Sequence, residues 1–220
     1  MANKQKVYFL GVKGQGMAPL AVYAKEKGYL VSGSDVEKDF STADLLKQAG
    51  IEPLVFNPQN IKKFQPDIIV VSAAYGADNP ELKFAQKQKK IKIISYSEFI
   101  KEEAMDKDLI AIAGIHGKTT ITALLAFILT EAGLDPSYLV GVAKINDLSP
   151  PGHYGQGRYF IIEADEYRQS QTNHQPKFWD FRPKIAVISS IELDHPDIYP
   201  DEKTIGNAFH KFASQIKRDG

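Results

Sequence analysis

Ala111-Ile112-Ala113-Gly114-Ile115-His116-Gly117-Lys118-Thr119-Thr120 is the stretch on which the fold turns. An apolar run, Leu109 to Ala113, feeds a glycine turn that ends in Gly-Lys-Thr. Apolar residues then recur at helical spacing at Ile121, Leu124, Leu125, Ile128 and Leu129. Strand, loop and helix in that order set backbone N–H groups and a helix N-terminus where a phosphate chain can sit. Lys118 would reach the β- and γ-phosphates of a nucleoside triphosphate such as ATP, and the Thr119 hydroxyl would complete a Mg²⁺ shell. Ile112 stands where the strict phosphate-loop pattern asks for its first glycine, so a strand-to-helix turn carrying a surface lysine is the plain alternative.

Outward from this loop, short apolar runs alternate with amphipathic patterns, the signature of parallel α/β sheets. Strands are expected at Val7–Leu10, Leu30–Ser32, Ile68–Ser72 and Ile91–Ile94. Helices are expected at Met17–Lys27, Ala43–Gln48, Glu81–Lys89 and Ser97–Glu103. The charged run from Glu102 to Asp108 marks a boundary, giving a Rossmann-like parallel-sheet domain over 1–105 and a P-loop-type α/β domain over 106–220. In the second, buried strands are expected at Tyr159–Glu163 and Ile185–Ser189, a loop over Asp147–Arg158 and a final helix over Glu202–Ile216. Lys217 to Gly220 reads as a turn into another strand. So few strands predict an open sheet edge, an incomplete second domain, and a chain that is inactive by itself.

Composition narrows the class. A formal net charge of zero gives no basic field for nucleic acid, and the lysines at 87, 89, 90 and 92 read as a solvated helix end. With no cysteine there is no disulfide framework, thiol catalysis or zinc-thiolate site. The first apolar run is too short for a signal peptide and no later one is long enough to span a membrane, so a cytoplasmic protein is expected.

Three further constellations carry chemistry. Gly11-Val12-Lys13-Gly14-Gln15-Gly16-Met17 follows the first strand as G-x-x-G-x-G, not the dinucleotide G-x-G-x-x-G. It still suits a pyrophosphate, and Asp35 at the end of the second strand could reach a ribose hydroxyl. Ile161-Ile162-Glu163-Ala164-Asp165-Glu166 puts carboxylates at a buried strand end, which is costly unless they are paired or bind metal. Strand alternation points Glu163 and Asp165 to one face, and Glu163 could share the Mg²⁺ of Thr119. Asp194-His195-Pro196-Asp197 lies just beyond another strand, where a neutral imidazole held by a carboxylate can ligate a metal.

These stretches, together with Ser32-Gly33-Ser34-Asp35, occur in the order of the Mur ligases, the ATP-dependent enzymes that build the peptide stem of peptidoglycan in bacteria, and essentially all of the chain resembles that family. The resemblance implies that the lactyl carboxylate of UDP-N-acetylmuramate takes the γ-phosphoryl of ATP, and that an amine then attacks the acyl phosphate. Gly14-Gln15-Gly16-Met17, Ser72-Ala73-Ala74 with Ala77 to Glu81, and Gly157-Arg158-Tyr159 are similar to members that add L-alanine. Tyr167, Lys177-Phe178-Trp179 and the long interval from Glu166 to Asp194 are closer to members that add a murein tripeptide. L-alanine is the reading adopted, with the tripeptide as alternative and a non-catalytic UDP-sugar-binding protein or an NAD-linked oxidoreductase as rivals of other classes.

The resemblance implies an ATP loop of Gly114, His116, Gly117, Lys118, Thr119 and Thr120, and a UDP-sugar site of Gly14, Gln15, Gly16, Met17, Asp35 and Ser72. Lys118, Glu163 and His195 would be catalytic, with Thr119 and Glu163 on one Mg²⁺ and His195 on a second. Two positions depart from the family pattern. Ser190 replaces the usual asparagine, and the slot of a carbamylated lysine found in several members falls on His210, beside Lys211, so that role is left unassigned.

Overall fold

The computed structural model describes residues 4–146, 148, 150–170, 173–196 and 198–218. The chain forms two compact units, one of residues 1–96, 141–154 and 170–172, the other of 97–140, 155–169 and 173–220. Asp147, Asp197, Asp219 and Gly220, which enter the loop, the His195 motif and the terminal turn expected above, lie outside the described residues.

The first unit alternates strand and helix: β1 (Lys6–Leu10), α1 (Met17–Glu26), β2 (Leu30–Asp35), α2 (Ala43–Gln48), β3 (Leu54–Val55), α3 (Pro58–Phe64), β4 (Ile68–Val71), α4 (Pro80–Ala85) and β5 (Lys92–Ser95). The strands run parallel in the order β3-β2-β1-β4-β5. The order reverses between β1 and β4, and in such sheets the ligand crevice opens at the carboxyl ends of the strands beside the reversal. That is where the loops after β1 and β4 lie. β3 and α3 were not expected from the apolar pattern. Asn57 nevertheless caps α3 by accepting from the Gln59 N–H at 2.9 Å with Pro58 in the first turn, and Asn79 and Pro80 start α4 in the same way. α4 stops at Ala85, so Lys87, Lys89 and Lys90 are exposed in turns and Lys92 at the start of β5, not on a helix end.

Glu81, fully buried, ties this unit together. Its Oε1 accepts from the Tyr8 hydroxyl (3.0 Å), the Asn57 N–H (3.0 Å) and the Asn60 amide (2.8 Å), and its Oε2 from the Ser34 hydroxyl. One carboxylate thereby links β1, β2, α3 and α4. Beside it Tyr8, Leu10, Ile61, Ile69, Leu82 and Ala85 form a core cluster.

The second unit takes most of α5 (Tyr96–Glu103), then β6 (Asp108–Ala113), α6 (Lys118–Glu131) and β7 (Ser137–Leu139). The chain next contributes β8 (Gly152–His153) to the first unit, where the ring of His153 meets Glu26 of α1 at 2.9 Å. It returns as β9 (Tyr159–Glu163), a 3₁₀ turn (Lys177–Asp180), β10 (Ile185–Ile188) and α7 (Glu202–Ala213). Within this unit β10, β6, β9 and β7 lie side by side, each pair parallel. β10 was expected to be buried. Among the described residues it has one strand neighbour, β6, and its residues are half-buried or exposed. α7 is capped by Asp201, which accepts from the Thr204 N–H at 2.7 Å, and packs Phe209 and Phe212 on Phe178.

The segment entering β9 is pressed onto the backbone before β7. Lys107 Nζ donates to the carbonyls of Gly155 (2.9 Å) and Gly157 (2.5 Å), and the Gly157 N–H donates to the carbonyl of Asp135 (2.8 Å). A Cβ on Gly155 would lie 2.1 Å from the Asp135 oxygen, and one on Gly157 1.9 Å from the Leu134 oxygen. Nearby, hydrogen bonds from Arg158, with Lys184 adding, hold the Asp108 carboxyl below the usual aspartate range. A depressed carboxyl contributes stability that is present above its unfolded pKa and lost as pH falls through the folded one. Arg158→Ala is therefore expected to move the Asp108 carboxyl resonance titration upward and to weaken the acid dependence of stability. Superimposable titrations would refute this.

Candidate active site

β6 ends at Ala113 and α6 begins at Lys118, and the four residues between are clamped by the segment after β10. The Ile115 N–H donates to the Ser190 carbonyl (3.2 Å) and the His116 N–H to Ser190 Oγ (3.1 Å), while Ser189 Oγ donates to the carbonyls of Ala113 (3.2 Å) and His116. Gly114 takes φ +125°, and a Cβ there would lie 2.2 Å from Ser189 Oγ, so glycine is required on both counts. Ser190, the departure noted from the sequence, thus holds the loop directly. Among the described residues no side chain caps α6 at Gly117, which leaves its first-turn amides to face an anion. The His116 side chain is exposed and 3.8 Å from Glu192, and Thr120 is exposed.

Lys118 is buried. Its ammonium donates to the Gly114 carbonyl at 2.6 Å and to both oxygens of Glu166 at 3.0 and 3.3 Å, and lies 5.8 Å from the centre of the Tyr167 ring. Thr119 Oγ1 donates to Glu163 Oε2 at 2.9 Å. The parallel register of β6 and β9 accounts for that contact, because it sets Glu163 beside Ile112, just before the loop. β9 ends at Glu163, so strand alternation does not extend to Asp165. Contrary to the expectation of a shared face, Asp165 turns to Lys177 at 3.5 Å.

His195 has φ +54°, a left-handed conformation uncommon for a residue with a side chain. Asp194 Oδ1 accepts its backbone N–H at 2.7 Å, and its carbonyl accepts from the N–H groups of Ile198 (2.8 Å) and Tyr199 (2.9 Å). The ring stands edge-on to Tyr167 with 4.3 Å between centroids. Its Nε2, buried and without a hydrogen-bond partner among the described residues, lies 3.4 Å from both Glu166 Oε1 and Asp194 Oδ2. The Tyr199 hydroxyl donates to the Glu166 carbonyl at 2.8 Å, and burial together with the charge of Glu166 pushes that phenol well above its ordinary range. Glu166 therefore touches both Lys118 and His195. The sequence showed it within an acidic run but gave it no role.

Among the described residues no three His, Asp or Glu side chains form a ready metal cage. The Thr119 hydroxyl and Glu163 carboxylate still fit Mg²⁺, which takes hard oxygen donors and usually keeps waters and substrate phosphates in the rest of its shell. Lys211, beside the unassigned slot, stacks its ammonium 3.4 Å from the centre of the Trp179 ring.

In the first unit, Gly14, Gln15 and Gly16 lie on the loop between β1 and α1, with Gln15 exposed and α1 uncapped by any side chain. The Ser72 N–H donates to the Leu10 carbonyl at 3.0 Å, which fixes the start of the neighbouring loop. Asp35 is buried, and its oxygens accept from the N–H groups of Lys13 and Val36 (2.8 Å each) and the Tyr75 hydroxyl (2.5 Å). Its carboxylate fixes the glycine loop. Met17 packs its side chain into the core.

Residues 6–107 match the Mur ligase family, catalytic domain, and residues 112–220 match the Mur ligase middle domain. A UDP-N-acetylmuramate–L-alanine ligase from Limosilactobacillus reuteri is 39% identical over 215 residues, covering 96% of this chain and 45% of that protein. The enzyme of the same name from Desulfitobacterium hafniense is 37% identical over 215 residues, covering 97% and 45%. The chain spans about half the length of the curated relatives it matches. Among solved structures, the UDP-N-acetylmuramate:L-alanyl-gamma-D-glutamyl-meso-diaminopimelate ligase from Neisseria meningitides matches with a TM-score of 0.88 at 28% identity, over 99% of this chain and 70% of that one. The UDP-N-acetylmuramate-alanine ligase from Thermotoga maritima shares the fold, with a TM-score of 0.80 at 24% identity over 96% of this chain and 47% of that one.

Proposed function

The chain belongs to the Mur ligase family, and from that premise we propose that it serves an ATP-dependent ligase joining L-alanine to UDP-N-acetylmuramate in peptidoglycan synthesis. The observation that carries the reading is the pairing of Thr119 with Glu163 at 2.9 Å beside a buried Lys118, at the open N-terminus of α6. The loop of Gly14, Gln15 and Gly16 binds the UDP part of the sugar, next to Ser72. Gly114, Gly117 and the first turn of α6 take the phosphates of ATP.

In the proposed reaction a lactyl carboxylate oxygen attacks the γ-phosphorus, the bond to ADP breaks, and an acyl phosphate forms. The amine of L-alanine adds to the acyl carbon, loses a proton, and the tetrahedral intermediate expels inorganic phosphate. Negative charge builds on phosphoryl oxygens in the first step, so Lys118 and the α6 amides act most strongly where that charge develops. Mg²⁺, when bound, supplies further neutralisation of the phosphate oxygens. Thr119 and Glu163 would hold one ion and His195, whose Nε2 has no hydrogen-bond partner among the described residues, a second.

Phosphate release that requires both UDP-N-acetylmuramate and L-alanine is the test. The tripeptide acceptor is the second reading, favoured by the 0.88 TM-score of the Neisseria enzyme, and replacing L-alanine with a murein tripeptide in the same assay separates the two. Glu163→Ala and His195→Ala are each expected to raise the half-saturating Mg²⁺ concentration by about tenfold, with partial rescue at excess metal. Titrations that overlay the wild type would make both residues structural. Among the described residues no helix is long and apolar enough to cross a membrane, and the cytoplasm, where ATP and UDP-sugars are made, is the proposed location.

A further inference from the structure

We infer that Glu166 is a positioning residue of the proposed ligase, aiming Lys118 at the phosphate chain with a carboxylate that also lies beside His195. The inference rests on the reading of the phosphate loop given above. Glu166 is 1% exposed, and a carboxylate so enclosed is costly unless its partners satisfy it. Its hydrogen-bond partner is the Lys118 ammonium, at 3.0 and 3.3 Å, while His195 Nε2 lies 3.4 Å from Oε1 without a hydrogen bond. The Tyr199 hydroxyl fixes the Glu166 backbone from the far side at 2.8 Å.

An ammonium has three N–H bonds. Here they meet the Gly114 carbonyl at 2.6 Å and the two oxygens of Glu166 at 3.0 and 3.3 Å, so the loop carbonyl and this one carboxylate set the direction of the ammonium at the phosphate loop. Without Glu166 the flexible lysine stem keeps, among the described residues, the Gly114 hydrogen bond and the more distant Tyr167 ring, and Lys118 can swing away from the loop. His195 would at the same time lose one of the two carboxylates that flank its Nε2. Glu166 thus acts through Lys118.

The experiment combines kinetics of the full-length protein carrying this chain with NMR of the Lys118 ammonium. Glu166→Gln keeps the size of the side chain and removes its charge. Turnover is expected to fall by at least about tenfold, while affinity for UDP-N-acetylmuramate stays within about twofold. Glu166→Asp, which restores the charge at shorter reach, should recover part of the loss. Combined with Lys118→Arg, the Glu166→Gln loss should be less than multiplicative, because both changes disturb one unit. Turnover of Glu166→Gln within about threefold of wild type, or losses that multiply fully, would overturn the inference. If the wild type shows no release of phosphate from ATP dependent on the UDP-sugar, the proposed function fails on its own account. The ammonium signal then decides the role of Glu166: a slowly exchanging Lys118 resonance lost in Glu166→Gln supports it, and one unchanged overturns it.

Discussion

Lys118→Ala is expected to lower ATP-dependent phosphate release by about 10²–10³-fold, the usual cost of removing one preorganised contact to developing transition-state charge. Affinity for UDP-N-acetylmuramate should stay within about twofold, because the glycine loop assigned to the sugar lies in the other compact unit. Phosphate release measured beside calorimetry with the UDP-sugar checks both halves. A variant keeping more than about a third of wild-type turnover would sink the phosphate-loop assignment. The same change strands Glu166 beside His195 without its ammonium, so the melting temperature is expected to fall as well. Circular dichroism at the assay temperature confirms that turnover is read on folded protein.

Glu81→Ala should cost the first unit about 3–5 kcal/mol, a large part of the stability of an ordinary domain. Truncation leaves the hydroxyls of Tyr8 and Ser34, the Asn57 N–H and the Asn60 amide without their shared acceptor, and opens a cavity where the side chain stood. Glu81→Gln keeps the volume but turns an amide N–H₂ toward groups that themselves donate, and should cost about 1–3 kcal/mol. Urea unfolding monitored by circular dichroism gives both values. A loss under about 1 kcal/mol for the alanine variant would mean that water or relaxation replaces the network.

Most of the α/β alternation was legible because central parallel strands are apolar throughout, and Val7–Leu10, Ile68–Val71 and Leu109–Ala113 announce themselves. β3 and β7, of two and three residues, are too short to show a period, and β7 begins directly after Pro136. α3 was legible in principle. Asn57-Pro58 is a helix-start signal, but only Ile61 is buried in that helix, so the apolar pattern gave it away poorly. β10 misled in the opposite sense, since Ile185-Ala186-Val187-Ile188 is apolar enough for a central strand while its place at the end of the strand order leaves it half-exposed. At the site, the pairing of Thr119 with Glu163 follows from register and was anticipated. The role of Glu166 was not, because period-two reasoning ends where β9 ends, and three residues of irregular chain decide where that carboxylate points.

Surface connections are ordinarily where a sequence drifts and where insertions are absorbed. The stretch from Gly155 to Gly157 looks like such a connection in its composition, yet two of its glycines lie so close to the backbone of residues 134 and 135 that even a methyl group would collide with a carbonyl oxygen. Lys107 adds a clasp by holding both carbonyls at once. Permissiveness to change is therefore inverted here. An affinity tag, a protease site or a permuted terminus placed at 155–157 would pry β9 from its neighbours and carry Glu163 away from the phosphate loop, although the same graft in an unpressed turn would pass unnoticed.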